Sequence, residues 1–129
     1  MNIVLWILQG LLTLVFLAAG SMKVTRSKEQ LLATGERMAW VIDLSAGQLK
    51  LIGILEVLAA IGLILPALTN ILSILTPLAA VGLVLTMIGA ITLHLRRGDP
   101  QQAMMMNVVL LLIAAFVAYG RFVMVPFTA

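Results

Sequence analysis

Three ionisable side chains lie in or beside apolar stretches of this sequence, where their types and spacing allow chemistry. Glu56 interrupts a long apolar run, Lys23 ends an earlier run and His94 ends a later one. Counted from Lys50, Glu56 lies about 9 Å along a helix that rises 1.5 Å per residue. Lys23 and His94 have a similar depth on the same side, so the three are predicted to meet at one end of a helix bundle. A charged group inside a membrane marks a functional site by default.

This cluster has a structural and a functional interpretation. Glu56 and Lys23 can form an ion pair that joins two helices, or they can form a ligand or proton site, because intramembrane charges serve both purposes. His94 precedes two arginines, and a histidine at a helix end commonly caps carbonyl groups. If a ligand binds, it is expected to be small and mostly apolar, with its polar head at the cluster. Small residues are predicted to leave room there: Gly20, Gly53 and Ala90.

A second polar group is predicted at the opposite end of the bundle. Arg121 lies near the end of the last apolar run, and Gln9 lies in the first. A long basic side chain at this depth is expected to snorkel to the headgroups. The alternative is contact with an anion or a polar headgroup, assisted by Gln9. No metal site is expected, because the sequence has no cysteine and the three consecutive methionines at 104–106 point in different directions on a helix.

The elements that position these residues are four long apolar runs. With 63% hydrophobic and only 10% charged residues, the chain is too apolar for a soluble domain of its size. A helix needs about 20 apolar residues to cross a bilayer, and backbone groups in lipid must be satisfied within the helix. The sequence predicts one all-α domain over residues 1–129, an integral membrane four-helix bundle. The predicted spans are 3–22, 48–68, 71–95 and 106–125, and Pro66 is expected to help end the second.

The connections between the spans predict orientation. Lysine and arginine are concentrated in the link from Lys23 to Lys50 and at Arg96 and Arg97, whereas the turn between the second and third spans is uncharged. The positive-inside rule therefore places both basic links in the cytoplasm and both termini outside. Residues 27–38 mix charges with helix formers beside Trp40, which predicts a short interfacial helix between the first and second spans.

The order of these features resembles a known family. The stretch Gly20 to Lys23 closes the first span, Gly53 to Glu56 opens the second, His94 ends the third, and Ala118 to Arg121 ends the fourth. Together they closely resemble the DoxX-like family of small four-helix bacterial membrane proteins, over nearly the whole chain. The resemblance implies a multi-pass protein of the bacterial inner membrane. The family name derives from a subunit associated with thiosulfate–quinone oxidoreduction, which implies a link to membrane redox complexes.

Three functions are consistent with these features. The first is a non-catalytic accessory subunit or scaffold of a membrane complex, linked through the resemblance to redox or quinone chemistry. The second is a binder or enzyme for a small lipophile such as a quinone, at Glu56, Lys23 and His94. The third is a small proton-coupled exporter, which is weaker because Lys23 can neutralise Glu56. A cavity that reaches Glu56 would favour the second function, and a sealed, ion-paired interior would favour the first.

The expected cofactors and partners follow from these functions. No bound cofactor is expected for a scaffold, whereas a quinone or another lipophile belongs to the second function. Membrane lipids are expected partners, together with a membrane redox protein or a second copy of the chain. Nucleic acid is not expected, because the net charge of +3 comes without a basic stripe interleaved with aromatic residues.

Overall fold

The structure of the protein is a computed structural model that describes residues 1–34 and 36–126. All regular elements within these residues are helices. Nothing is described for the side chains of residues 36–38 and 103. The helices are α1 (Asn2–Thr25), α2 (Lys28–Leu32), a 3₁₀ helix (Glu36–Asp43), α3 (Ala46–Thr69), α4 (Leu75–Arg97) and α5 (Gln101–Tyr119), which continues as a π-helical turn (Gly120–Met124). Four segments are long and apolar enough to cross a membrane: Asn2–Thr25, Ala46–Thr69, Leu75–Arg97 and Met104–Met124. The predicted all-α fold with four spans is confirmed.

The boundaries of the third span differ from the prediction. Helix α4 begins at Leu75, whereas the sequence predicts a start at residue 71. Asn70 and Leu72 have positive φ angles of 58° and 51°, which a right-handed helix does not accommodate. Residues 70–74 therefore form the tight turn between α3 and α4, although most of them are apolar.

The described part of the link between α1 and α3 contains two short helices. The sequence predicts a single interfacial helix over residues 27–38, and Gly35 within that range lies outside the described residues. Helix α2 begins with a capping box, in which Ser27 accepts a hydrogen bond from the Gln30 backbone and the Gln30 side chain accepts one from Ser27. Leu31 of α2 and Val41 of the 3₁₀ helix pack with Leu49 in a small buried cluster. The link therefore packs against the start of α3.

The long helices form a ring in which α1 packs on α3, α3 on α4, α4 on α5, and α5 on α1. The largest buried cluster draws on all four, with Leu12, Leu63, Leu83 and Val117 among its members. Large apolar side chains are also exposed around the outside of the ring, as expected for a surface in contact with lipid. We call the end that carries Lys23, Lys50, Arg96 and Arg97 the basic end, and the end at the α3–α4 turn the turn end.

A proline inside α3 is compensated by a threonine of α4. Pro66 is buried within α3, which continues to Thr69, so the prediction that Pro66 helps end the helix is wrong. Because proline has no N–H group, the carbonyl of Gly62 lacks its usual donor four residues later. The hydroxyl of the buried Thr76 donates a hydrogen bond to that carbonyl at 3.0 Å. This bond ties the start of α4 to α3.

Replacing Thr76 with valine is expected to lower the free energy of unfolding by about 1 kcal/mol, the typical net value of a hydrogen bond. The effect should be smaller in a Pro66→Ala background, because the restored backbone N–H can bond to Gly62. Unfolding in mixed micelles by denaturing detergent would measure both effects. Equal losses in the two backgrounds would contradict the proposed compensation.

Candidate functional site

An ion pair joins α1 and α3 near the basic end. Lys23, in the last turn of α1, places its Nζ 2.6 Å from Oε1 of Glu56 in α3. The Glu56 side chain is only 3% exposed and that of Lys23 is 12% exposed, so the pair lies largely inside the protein. The structure thus brings together two of the three residues in the predicted cluster. Lys23 also lies over the ring of Trp40, 5.8 Å from its centroid.

Two glycines allow α1 and α3 to meet one turn away from this ion pair. A Cβ atom added to Gly20 would lie 2.7 Å from the backbone oxygen of Gly53, and one added to Gly53 would lie 2.7 Å from the oxygen of Gly20. Such close backbone approach at small residues is how helices associate in membranes. The prediction that Gly20 and Gly53 leave room for a ligand is therefore wrong, because the opposite backbone fills that space. Ala90, on α4, is half-buried.

His94 is bonded to a residue that the sequence analysis did not identify. Its Nδ1 lies 2.7 Å from Oδ2 of Asp99, and Arg97 Nε donates to the same oxygen at 3.0 Å. Arg97 Nη1 also lies 3.1 Å from Oδ2 of Asp43 at the end of the 3₁₀ helix. These contacts tie the linker to the end of α4. Within the described part of the chain, no hydrogen bond or ion pair connects His94 to Glu56 or Lys23, contrary to the predicted convergence.

The turn after α4 explains why His94 has this partner. Gly98 caps α4 in a left-handed conformation with φ of 70°, and Asp99 N then donates to His94 O at 3.0 Å. The chain thereby returns the Asp99 carboxylate to the histidine ring. Hydrogen bonds from His94 and then Arg97 lower the pKa of Asp99, whereas desolvation opposes this shift. An ionised carboxylate only accepts hydrogen bonds, so His94 Nδ1 carries the hydrogen.

Arg121 lies inside the turn end of the bundle. It is 2% exposed, its Nε donates to Gln9 Oε1 at 2.7 Å, and its Nη1 donates to Asn2 Oδ1 at 2.8 Å and to Val125 O at 3.1 Å. The guanidinium carbon also lies 5.6 Å from the centroid of the Trp6 ring. The prediction that Arg121 snorkels to the headgroups is wrong, because these contacts hold it within the protein.

Gln9 extends this polar network across the bundle. While its oxygen accepts from Arg121, its Nε2 donates to the backbone oxygen of Leu63 in α3 at 2.7 Å. Gly120 lies against Leu5 of α1 beside this network. A Cβ added at Gly120 would come within 2.6 Å of the Leu5 side chain, so the glycine allows the chain after α5 to lie close to α1. The network therefore connects the end of α5 to α1 and α3, a structural role that both sequence interpretations of Arg121 missed.

A cavity of about 180 Å³ opens at the basic end, between the end of α1, α2 and the start of α3. Its charged lining residues are Lys23, Arg26, Lys28, Glu29 and Lys50. Glu56 does not line it, although its partner Lys23 does. Among the described residues, no group of three or more histidine, cysteine or acidic side chains could hold a metal ion.

Comparison with known proteins supports the resemblance noted in the sequence. Residues 7–117 match the family model described as the DoxX-like family. Comparisons with curated proteins and with solved structures gave no significant match. The matched range contains the Lys23–Glu56 ion pair, the Gly20–Gly53 contact and most of all four membrane helices. Since the match covers well over half of the sequence, the chain belongs to the DoxX-like family.

Proposed function

We propose that this protein is a non-catalytic accessory subunit or scaffold of a membrane complex. The observation that carries the proposal is the way in which the interior around Glu56 is filled. Lys23 neutralises the carboxylate at 2.6 Å, and the Gly20–Gly53 contact closes α1 against α3 one turn away. An interior that is paired and packed supports a stable bundle that acts through its outer faces.

The same geometry weighs against a lipophile site at Glu56. Pockets for small molecules usually have volumes of about 300–1,000 Å³ and mostly apolar linings. The cavity at the basic end is about 180 Å³, carries five charged side chains and does not include Glu56. His94, the third residue of the predicted cluster, is engaged with Asp99. A proton-coupled exporter would also need Glu56 to exchange its partner, and Lys23 competes with any such substrate.

The partner in this proposal is a membrane protein that contacts the apolar outer surface. The resemblance to a family named after a subunit of thiosulfate–quinone oxidoreduction makes a membrane redox enzyme the first partner to test, and a second copy of the chain the next. We place the protein in the bacterial inner membrane, with the basic end in the cytoplasm and both termini outside.

Single introduced cysteines test this orientation without background, because the chain has none of its own. We expect a membrane-impermeant maleimide to label Thr69→Cys, an exposed position at the turn end, in intact cells. Glu29→Cys, at the exposed basic end, should be labelled only after the cells are permeabilised. The reverse pattern would overturn the proposed orientation.

Site-specific photo-crosslinking in native membranes tests the proposed function. A photoreactive residue would replace, one at a time, an exposed leucine on each long helix: Leu14, Leu58, Leu85 and Leu112. We expect one or two adjacent positions to form a defined adduct with a second protein while the opposite positions react only with lipid. Deleting the chain should then reduce the abundance or activity of that protein. Lipid adducts alone at all four positions would contradict an accessory role.

A further inference from the structure

We propose that the cavity at the basic end binds the phosphate group of an anionic phospholipid. The cavity is formed where the last turn of α1, the short helix α2 and the first turns of α3 come together. Both long helices are membrane spans, so this junction lies at the level where lipid headgroups meet water. Lipid binding at this surface of the bundle does not depend on whether the protein is an accessory subunit.

The charges that line the cavity favour an anion. Four cationic side chains line it against one carboxylate, Glu29. Lys23 is neutralised by Glu56, and Lys28 Nζ donates to a backbone carbonyl at 3.2 Å. Arg26 and Lys50 are exposed, and within the described part of the chain their side chains have no hydrogen bond or ion pair. The cavity therefore presents two cations whose donors are available to a ligand.

The volume and the apolar lining of the cavity indicate which part of a lipid it holds. A volume of about 180 Å³ is below the range of about 300–1,000 Å³ for whole small-molecule ligands, so it fits a headgroup phosphate better than an entire lipophile. Leu49 provides an apolar surface beside the cations, and it packs with Leu31 of α2 and Val41. This packing fixes the positions of α2 and α3 around the site.

A lipid phosphate fits the cavity better than a soluble anion because of its location. Basic pockets beside membrane helices recognise anionic headgroups, and each lysine or arginine near the surface contributes about 1 kcal/mol, or about a fivefold change in binding. The bilayer holds the headgroup at this level, so the acyl chains can lie on the exposed apolar faces of α1 and α3, which include Leu17 and Leu51. A soluble phosphate lacks this second contact.

Tryptophan quenching by brominated lipid can test the proposal. The chain has two tryptophans, and a Trp6→Phe variant leaves Trp40, whose ring lies 5.8 Å from Lys23 Nζ at the cavity. This variant would be reconstituted in phosphatidylcholine bilayers containing increasing amounts of phosphatidylglycerol, with bromine on the acyl chains of either lipid in turn. We expect brominated phosphatidylglycerol to quench Trp40 saturably and at least fivefold more effectively than brominated phosphatidylcholine.

Charge-matched variants separate a site from general attraction to the surface. Arg26→Gln and Lys50→Gln should each reduce the preference for phosphatidylglycerol about fivefold. Arg96→Gln removes an exposed cation of the same end outside the cavity, and it should leave the preference unchanged. Equal quenching by the two lipids, or an equal loss in Arg96→Gln, would overturn the proposal. Without a lipid preference, a change in Trp40 fluorescence on adding millimolar inorganic phosphate would assign the cavity to a soluble anion instead.

Discussion

Replacing Glu56 with leucine is expected to lower the free energy of unfolding by about 3 kcal/mol. The substitution leaves the ammonium group of Lys23, only 12% exposed, without its partner at 2.6 Å. Removing one member of a buried ion pair typically costs about 3–5 kcal/mol, because the remaining charge is uncompensated. We place the loss at the lower end of that range, since Lys23 lies in the last turn of α1 and can extend towards the basic end. Glu56→Gln should lose less, because its amide oxygen can still accept a hydrogen bond.

A double-mutant cycle tests whether this loss comes from the pair itself. Lys23→Met combined with Glu56→Leu removes both charges, and we expect it to be more stable than Glu56→Leu alone. Glu29→Gln is the matched control, because it removes an exposed carboxylate at the same end and should change stability by less than about 0.5 kcal/mol. Detergent-induced unfolding would measure the stability of the wild type, Lys23→Met, Glu56→Leu, the double variant and the Glu29→Gln control. Additive effects of the two single substitutions would show that the ion pair does not hold α1 to α3.

Replacing Gly53 with alanine is expected to destabilise the protein by about 3 kcal/mol. The new Cβ would lie 2.7 Å from the backbone oxygen of Gly20 and 2.8 Å from Cβ of Lys23. Backbone atoms cannot rotate away as a flexible side chain can, so α1 and α3 must separate. Overpacking of a well-packed interface costs about 1–3 kcal/mol. The upper end applies here because separation also stretches the adjacent Lys23–Glu56 pair.

Gly10→Ala, a second glycine-to-alanine substitution within a membrane helix, provides a control. An added Cβ at Gly10 of α1 would meet nothing within 4 Å, so only helix propensity changes, which favours alanine by up to about 1 kcal/mol. The same unfolding measurement should therefore show no loss for Gly10→Ala and a large loss for Gly53→Ala. Similar losses in the two variants would mean that glycine is needed for some reason other than helix contact.

The spans could be predicted because the length of an apolar run carries most of the information about a membrane helix. The limits of that signal are visible between α3 and α4. Residues 71–74 are mostly apolar, yet the left-handed conformations at Asn70 and Leu72 make them a turn. Hydropathy does not report backbone conformation, and leucine rarely adopts a positive φ. The same limitation explains Pro66, whose place inside α3 depends on a hydrogen bond from Thr76 that only the tertiary structure reveals.

Part of the candidate site was also predictable, because depth along a helix can be counted from the sequence. This count brought Lys23 and Glu56 to the same level, and the structure pairs them. Counting depth did not predict the partner of His94, because the turn at Gly98 brings Asp99 next to the histidine ring. The glycine and aspartate that directly follow the helix were the sequence signal for this contact between Asp99 and His94.

The surroundings of small residues and of long side chains are not determined by the local sequence. A glycine in a membrane helix is compatible with a cavity or with a helix contact, and the sequence does not tell which surface faces it. Gly20 and Gly53 turned out to face each other. The length of Arg121 allows it to reach the headgroups, but its contacts with Gln9 and Asn2 keep it buried.

We propose that the pairing of Glu56 with Lys23 holds the bundle together and that Glu56 does not bind a lipophile. The most direct measurement is mass spectrometry of the small molecules that co-purify with the wild-type protein and with Glu56→Gln from native membranes. We predict that no quinone or other lipophile apart from membrane phospholipid is present in stoichiometric amount and that the two profiles are the same. A stoichiometric lipophile that is retained by the wild type and lost from Glu56→Gln would contradict the claim.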